Sequence, residues 1–160
     1  MRIKREKPSK FELIQLKSVI AYQFGKEAVE SIFKSNNSIE VSRYSTGRIR
    51  TVYINGEEAL YFNPKIGLFS LSMYGASLIF PSIPKETKRI AVITEVFENY
   101  TKKTLLAPAV AWSTNDIRDG DEVFIVNENG ELLALGKALL CHEEIKKIKR
   151  GKVALIKRKR

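Results

Sequence analysis

Apolar residues at Phe11, Leu13, Ile14, Leu16, Val19 and Ile20 recur at helical spacing behind the segment Pro8-Ser9-Lys10-Phe11-Glu12. Ser9 is a helix-capping residue and Glu12, three positions on, completes a capping box. The spacing predicts a helix that buries one broad stripe of those six residues. Gly25 interrupts it, and a second short helix follows through Ala28, Val29, Ile32 and Phe33 to the loop Ser35-Asn36-Asn37-Ser38. The period then changes to two. Strands are predicted over 39–44, 48–54, 57–62 and 68–71, the middle pair joined by Asn55-Gly56, a strong two-residue hairpin signal. A short helix near 74–80 ends at Pro81-Ser82-Ile83-Pro84, which breaks the chain and sets a domain boundary between residues 1–84 and 85–160.

The second half reads as a strand at 89–93, a short helix through Val96, Phe97 and Tyr100, and an extended apolar run from Leu105 to Trp112. A turn at Asp119-Gly120 leads to a strand at 122–126, and Asn129-Gly130 turns it into another at 132–140. Glu143 and Glu144 at one end, with Lys146, Lys147, Lys149 and Arg150 at the other, suit a helix dipole, and Gly151 is placed to cap that helix. A last strand runs through 153–156. The fold class is therefore α+β: a small N-terminal unit of two helices packed on an antiparallel sheet, then a sheet closing toward a barrel.

Charge sharpens this picture. The 160 residues carry 28 Lys and Arg against 18 Asp and Glu, a net of +10. Residues 1–10 hold five bases and one acid, residues 146–160 nine bases and no acid, and the stretch between them 14 bases and 17 acids. Two basic ends on a slightly acidic body are the footprint of a polyanion binder, because each neutralised phosphate releases counterions. Tails that merely solubilise the protein are the plain alternative. The basic segments lack the wide apolar face of an interfacial helix, and no run approaches a membrane span, so no membrane partner and a cytoplasmic location are expected.

Active-site chemistry is not visible. Cys141 and His142 are the sole Cys and His, and on a strand they would face opposite ways, which leaves a packed thiol beside a helix-capping His. One cysteine excludes an internal disulfide or a cysteine-clustered zinc site. Asp116, Asp119 and Asp121 lack calcium-loop spacing and read as turn formers. No metal, no cofactor and no enzymatic activity are expected.

Three blocks in the second half resemble the PUA domain. They are Leu105-Leu106-Ala107-Pro108-Ala109-Val110, then the segment from Asp119-Gly120-Asp121 to Val126, and then Glu131 to Ala138 with its Ala134, Gly136 and Ala138. That domain is a β pseudo-barrel used to hold structured RNA. In the first half, Tyr22-Gln23-Phe24-Gly25, Ser45-Thr46-Gly47-Arg48-Ile49-Arg50, Gly67-Leu68-Phe69-Ser70-Leu71 and Gly75-Ala76 resemble the segment before the PUA domain in archaeal archaeosine tRNA-guanine transglycosylase. The resemblance implies a PUA-type pseudo-barrel behind an α+β unit, with RNA, above all tRNA, as ligand and no DNA. It does not imply base exchange, which resides in a catalytic barrel outside the resembling region.

By that resemblance the RNA groove takes in Lys102, Lys103, Ala107, Pro108 and Ala109, and the last strand with Lys157, Arg158, Lys159 and Arg160. Many PUA domains have Gly in place of Lys102 and Ala109, where RNA backbone comes close; Lys102-Lys103 substitutes phosphate charge. Lys146, Lys149, Arg150 and Lys152 belong to the neighbouring helix and turn. Arg43, Arg48 and Arg50 alternate with apolar residues, and Arg48 and Arg50, on one strand face, are open between a second phosphate-contact strip and a plain half-exposed sheet face. Tyr44, Tyr53, Phe69 and Trp112 are open between stacking on bases and core packing, with Phe69 better suited to the core. The expected function is a non-catalytic tRNA-binding protein acting with a catalytic tRNA-modification subunit in trans. A PUA-containing ribosome-assembly factor that binds pre-rRNA is the alternative.

Overall fold

The computed structural model describes residues 3–160, so Arg2 of the basic N-terminal run lies outside the described residues. The chain divides between Ile83 and Pro84 into two compact units.

The first unit contains α1 (Lys10–Phe24), α2 (Lys26–Ile32), β1 (Ile39–Arg43), β2 (Ile49–Ile54), β3 (Glu57–Asn63), β4 (Leu68–Leu71) and α3 (Met73–Ile79). The strands form an antiparallel sheet in the order β1-β2-β3-β4. α1 opens with the expected capping box: the Glu12 amide donates to Ser9 Oγ, and Glu12 Oε1 accepts from the Ser9 amide. Between β2 and β3 both turn residues take positive φ, Asn55 at 52° and Gly56 at 84°, as a tight hairpin demands.

The single buried stripe expected of α1 is corrected. Leu16, Ile20 and Phe24 are buried, whereas Phe11 and Ile14 face out. At about 100° per residue the six apolar positions cannot share one face, and those aligned with Leu16 win the core. Gln23 sits on the buried side and joins α1 to the edge strand β4. Its Nε2 donates 2.9 Å to the Phe69 carbonyl, and its Oε1 accepts at 2.8 Å from the Phe69 amide. One side chain thus does for Phe69 what a neighbouring strand would do. Gln23→Leu is expected to cost about 2–3 kcal/mol by leaving both groups unmet, read as a lowered midpoint in chemical denaturation.

The second unit contains β5 (Arg89–Val92), α4 (Thr94–Phe97), β6 (Thr104–Leu106), β7 (Val110–Ser113), β8 (Glu122–Val126), β9 (Leu132–Ala138), α5 (His142–Lys147) and β10 (Lys152–Lys159). They build one sheet in the order β6-β10-β9-β8-β5-β7, with β5 and β8 parallel. Ile90, Leu105, Val123, Ile125, Ala134 and Val153 lie in its core.

Three expectations are corrected here. The apolar run from Leu105 to Trp112 is not one strand. A 3-10 turn at Ala107–Ala109 splits it into β6 and β7, which lie at opposite edges of the sheet. Pro108 has no amide to give a ladder, so the chain turns there. α5 ends at Lys147 with Ile148 as its C-cap, not at Gly151, whose φ of 112° serves the turn into β10. Cys141 and His142 are not on a strand: Cys141 is the N-cap of α5, where its amide donates 3.2 Å to Glu144 Oε1, and His142 Nδ1 lies 2.8 Å from Ser113 Oγ. That backbone hydrogen bond from Cys141 holds the Glu144 carboxyl below the usual carboxylate range.

Asp116 and Asp121 do more than form turns. The Asp116 carboxylate takes the Lys88 amide at 2.9 and 3.0 Å, and Asp121 takes the Lys88 ammonium and, at 2.8 Å, the Arg118 amide. Together they fix Lys88 at a φ of 47°, an uncommon conformation for a lysine, directly before β5.

Candidate nucleic-acid interface

Among the described residues, both basic ends are tied to a sheet. In the first unit, the Glu6 amide donates 2.9 Å to the Val41 carbonyl and its carbonyl accepts at 2.7 Å from the Val41 amide. Arg5 lies over the Tyr53 ring, 4.0 Å from its centroid, and donates to the Gly56 carbonyl. In the second unit Lys157, Arg158 and Lys159 belong to β10, inside the sheet between β6 and β9.

That placement gathers charge along one edge. β6 is an edge strand only three residues long, and the loop before it carries the exposed Lys102 and Lys103. The Ile156 amide donates 2.7 Å to the Lys103 carbonyl, which holds the loop beside the exposed Lys157. Farther along, the Ala107 amide donates 2.9 Å to the Gly151 carbonyl, which brings the exposed Pro108 next to the turn carrying Lys149, Arg150 and Lys152. From Lys152 to Lys159 the strand covers about 23 Å at ~3.3 Å per residue, with Lys152 at its start, Lys157 to Lys159 at its end and the apolar Val153 to Ile156 between them.

One base of this end takes a structural part. Lys159 donates to the Tyr100 carbonyl and sits over Phe97, 5.1 Å from the ring centroid. The Phe97 and Tyr100 rings stack at 5.5 Å, and the Tyr100 hydroxyl donates to the Thr104 carbonyl while accepting from the Leu106 amide. The Lys102-Lys103 loop is therefore pinned at both ends by one tyrosine. Lys146 pairs with Glu143 at 3.3 Å on the exposed face of α5, a weak contact that leaves it accessible to other anions. Tyr100→Phe is expected to loosen the loop, lower stability by about 1–3 kcal/mol, and speed amide exchange at Leu106 while the sheet stays folded.

Ala109 does not join this edge. It is 2% exposed and packs in the core, because the 3-10 turn directs its methyl inward. Tyr53 and Phe69 are buried too, which removes both as stacking platforms, and the Tyr44 hydroxyl is committed to the Phe62 carbonyl at 3.1 Å. Trp112 is 42% exposed on the edge strand β7 and keeps a free ring surface. In the first unit Arg48 and Arg50 are exposed, with Arg50 lying 5.8 Å from the Tyr44 ring centroid. Arg43 does not join them: it forks onto Glu12 at 2.9 and 3.2 Å and lies 3.8 Å from Glu6. The fixed loop around Tyr100 had no signature in the sequence beyond an aromatic pair three residues apart.

The edge offers clustered cations, backbone turns and little that could perform acid–base or nucleophilic chemistry. Among the described residues no group of three or more His, Cys, Asp or Glu could hold a metal ion, and no helix is long and apolar enough to cross a membrane.

Residues 15–86 match the sequence family of the patch-forming domain C2 of tRNA-guanine transglycosylase, and residues 88–160 match the PUA domain family. The tRNA-guanine(15) transglycosylase of Methanothermobacter thermautotrophicus is 37% identical over 142 residues, an alignment that takes in 88% of this chain and 21% of that protein. The Thermococcus kodakarensis enzyme is 35% identical over 156 residues, 96% of this chain and 26% of that one. The chain thus spans about a quarter of the length of these curated relatives. Among solved structures, a hypothetical protein from Pyrococcus horikoshii OT3 superposes with a TM-score of 0.71 at 18% identity, covering 98% of this chain and 94% of that one. A conserved PUA domain protein from Thermoplasma acidophilum gives 0.65 at 22%, covering 98% and 93%. These two share the fold.

Proposed function

Starting from a chain that belongs in its first half to the C2 family of tRNA-guanine transglycosylase and in its second half to the PUA family, we infer that it is a non-catalytic protein that binds structured RNA, most of all tRNA. It serves as the tRNA-gripping accessory of a transglycosylase-type modification enzyme. The observation that carries this reading is the hydrogen bond from the Ile156 amide to the Lys103 carbonyl, which lines up the Lys102-Lys103 loop with the basic strand β10. Lys102, Lys103, Lys149, Arg150, Lys152, Lys157, Arg158 and Arg160 supply phosphate contacts, with Lys146 on the flank and Pro108 giving a flat apolar contact. Arg48 and Arg50 provide a second, separate strip on the first unit.

Binding of this kind positions RNA through its backbone and shape and reads few bases. The names of the relatives, tRNA-guanine(15) transglycosylases, favour tRNA over other structured RNA in this reading. The test is fluorescence anisotropy with mature tRNA and with a random-sequence RNA duplex of equal charge, across a salt series. Tighter binding to tRNA with a steep salt slope supports the reading. Equal, weak binding to both refutes it.

A further inference from the structure

α1 is apolar on two sides. Leu16, Ile20 and Phe24 supply the core, while Phe11 and Ile14 are 67% and 62% exposed. Phe11, Ile14, Ser18 and Tyr22 fall within a stripe roughly 80° wide on the far side of the helix from Leu16. Beside it runs a cleft of about 740 Å³, walled by Phe11, Ile14 and Val19 of α1 and by Ile49, Phe62 and Phe69 of the sheet. The β3–β4 loop that borders it also holds out Ile66, 50% exposed.

Two of the four polar side chains that line the cleft are committed. Glu12 holds the Ser9 amide and the Arg43 guanidinium, and the Ser18 hydroxyl donates 2.8 Å to the Ile14 carbonyl. Gln15 and Arg48 remain to meet a ligand. A nucleobase brings several edge donors and acceptors into such a site, and leaving them unmet is costly. Apolar side chains of a protein segment carry no such cost, and a continuous exposed apolar surface on a small unit marks an interaction site.

The length of the relatives points to the occupant. In them this pair of domains shares a polypeptide with the remaining three quarters or so of the chain, since the matched part is 21% of one and 26% of another. We propose that the cleft along α1 is the docking face for the catalytic chain of the transglycosylase-type enzyme, which seats an apolar helix in it. The proposal rests on the accessory reading above and adds the place of contact.

The test uses the full chain with the photoreactive residue p-benzoylphenylalanine at position 14, or at position 30 on the exposed side of α2 as a control, incubated with extract of the source organism and irradiated. Adducts are identified by mass spectrometry. The expected product at position 14 is the transglycosylase catalytic chain, about tenfold above the control, and its yield persists at about 1 M salt because an apolar contact is not screened. An adduct with RNA, with a second copy of this chain or with an unrelated protein, or none above the control, overturns the proposal. Ile14→Glu should abolish co-purification of the enzyme while leaving the thermal midpoint and tRNA affinity unchanged. Co-purification with the wild type but no adduct at position 14 sinks the site alone. Absence of co-purification with the wild type sinks the accessory reading along with it.

Discussion

Replacing Lys102, Lys103 and Lys157 together by glutamine is expected to weaken tRNA binding about a hundredfold at about 0.1 M salt and to flatten the salt slope by roughly two to three. Each phosphate contact contributes about 0.7–0.9 to the slope of log K against log salt, so three lost contacts give both figures from one cause. The three side chains are exposed, and Lys102 and Lys103 belong to a loop fixed by backbone and Tyr100 rather than by their own ammonium groups. The fold should therefore survive, which circular dichroism and an unchanged thermal midpoint would verify. Substitution is the right tool here. Deleting the residues after Ile156 would also remove the Lys159–Ala134 pairing and the bond from the Arg160 amide to the Leu133 carbonyl, confounding charge with folding. If affinity falls without a change in slope, these lysines act otherwise than through phosphates, and the edge is not the groove.

Gly136→Ala is expected to cost about 2–4 kcal/mol and to abolish tRNA binding with it. A Cβ at this position would stand 2.5 Å from the Leu155 carbonyl oxygen and 3.1 Å from Ile125 Cδ1. The first of these is backbone and belongs to β10, so relief requires the basic strand to move away from β9. Glycine in a strand interior often marks such a close approach of another backbone. The denaturation midpoint of the variant reads that cost directly, since alanine is otherwise better suited than glycine to a strand interior. Wild-type stability in Gly136→Ala would mean that the strands shift at little cost. Gly75 repeats the theme in the first unit, where a Cβ would come within 2.1 Å of the Ala59 carbonyl oxygen.

Elements with a short-range cause were legible in the sequence. The Ser9/Glu12 box, the Asn55-Gly56 hairpin and the strand β8 each follow from residues a few positions apart. Failures came where a long-range partner decides. Whether Phe11 or Leu16 is buried depends on which side of α1 meets the sheet, and apolar residues on both sides leave that open. Leu105 to Trp112 has the composition of one strand, and its division depends on two sheet edges that no local pattern reveals. The candidate site behaved similarly. Its cations were visible as a cluster, but Lys159 as a strut for Tyr100 and Ala109 as core follow only from the packed sheet. Arg43 shows the same limit, since its partner Glu12 lies 31 positions earlier.

The position of β10 also bears on how the protein is made. Synthesis runs from the N-terminus, and domains generally fold as units as they emerge. All seven helices and strands of the first unit are complete by Ile79, so that unit can fold while the rest is being translated. The second unit has no such head start. Its last-made strand, Lys152–Lys159, is an interior one, and until it arrives β6 has no neighbour and β9 has only one. The nascent sheet therefore shows the open, hydrogen-bond-hungry edges of β6 and β9 until residues 152–159 have been made. Ribosome-bound intermediates of this chain should accordingly bind chaperones through the second unit and not the first.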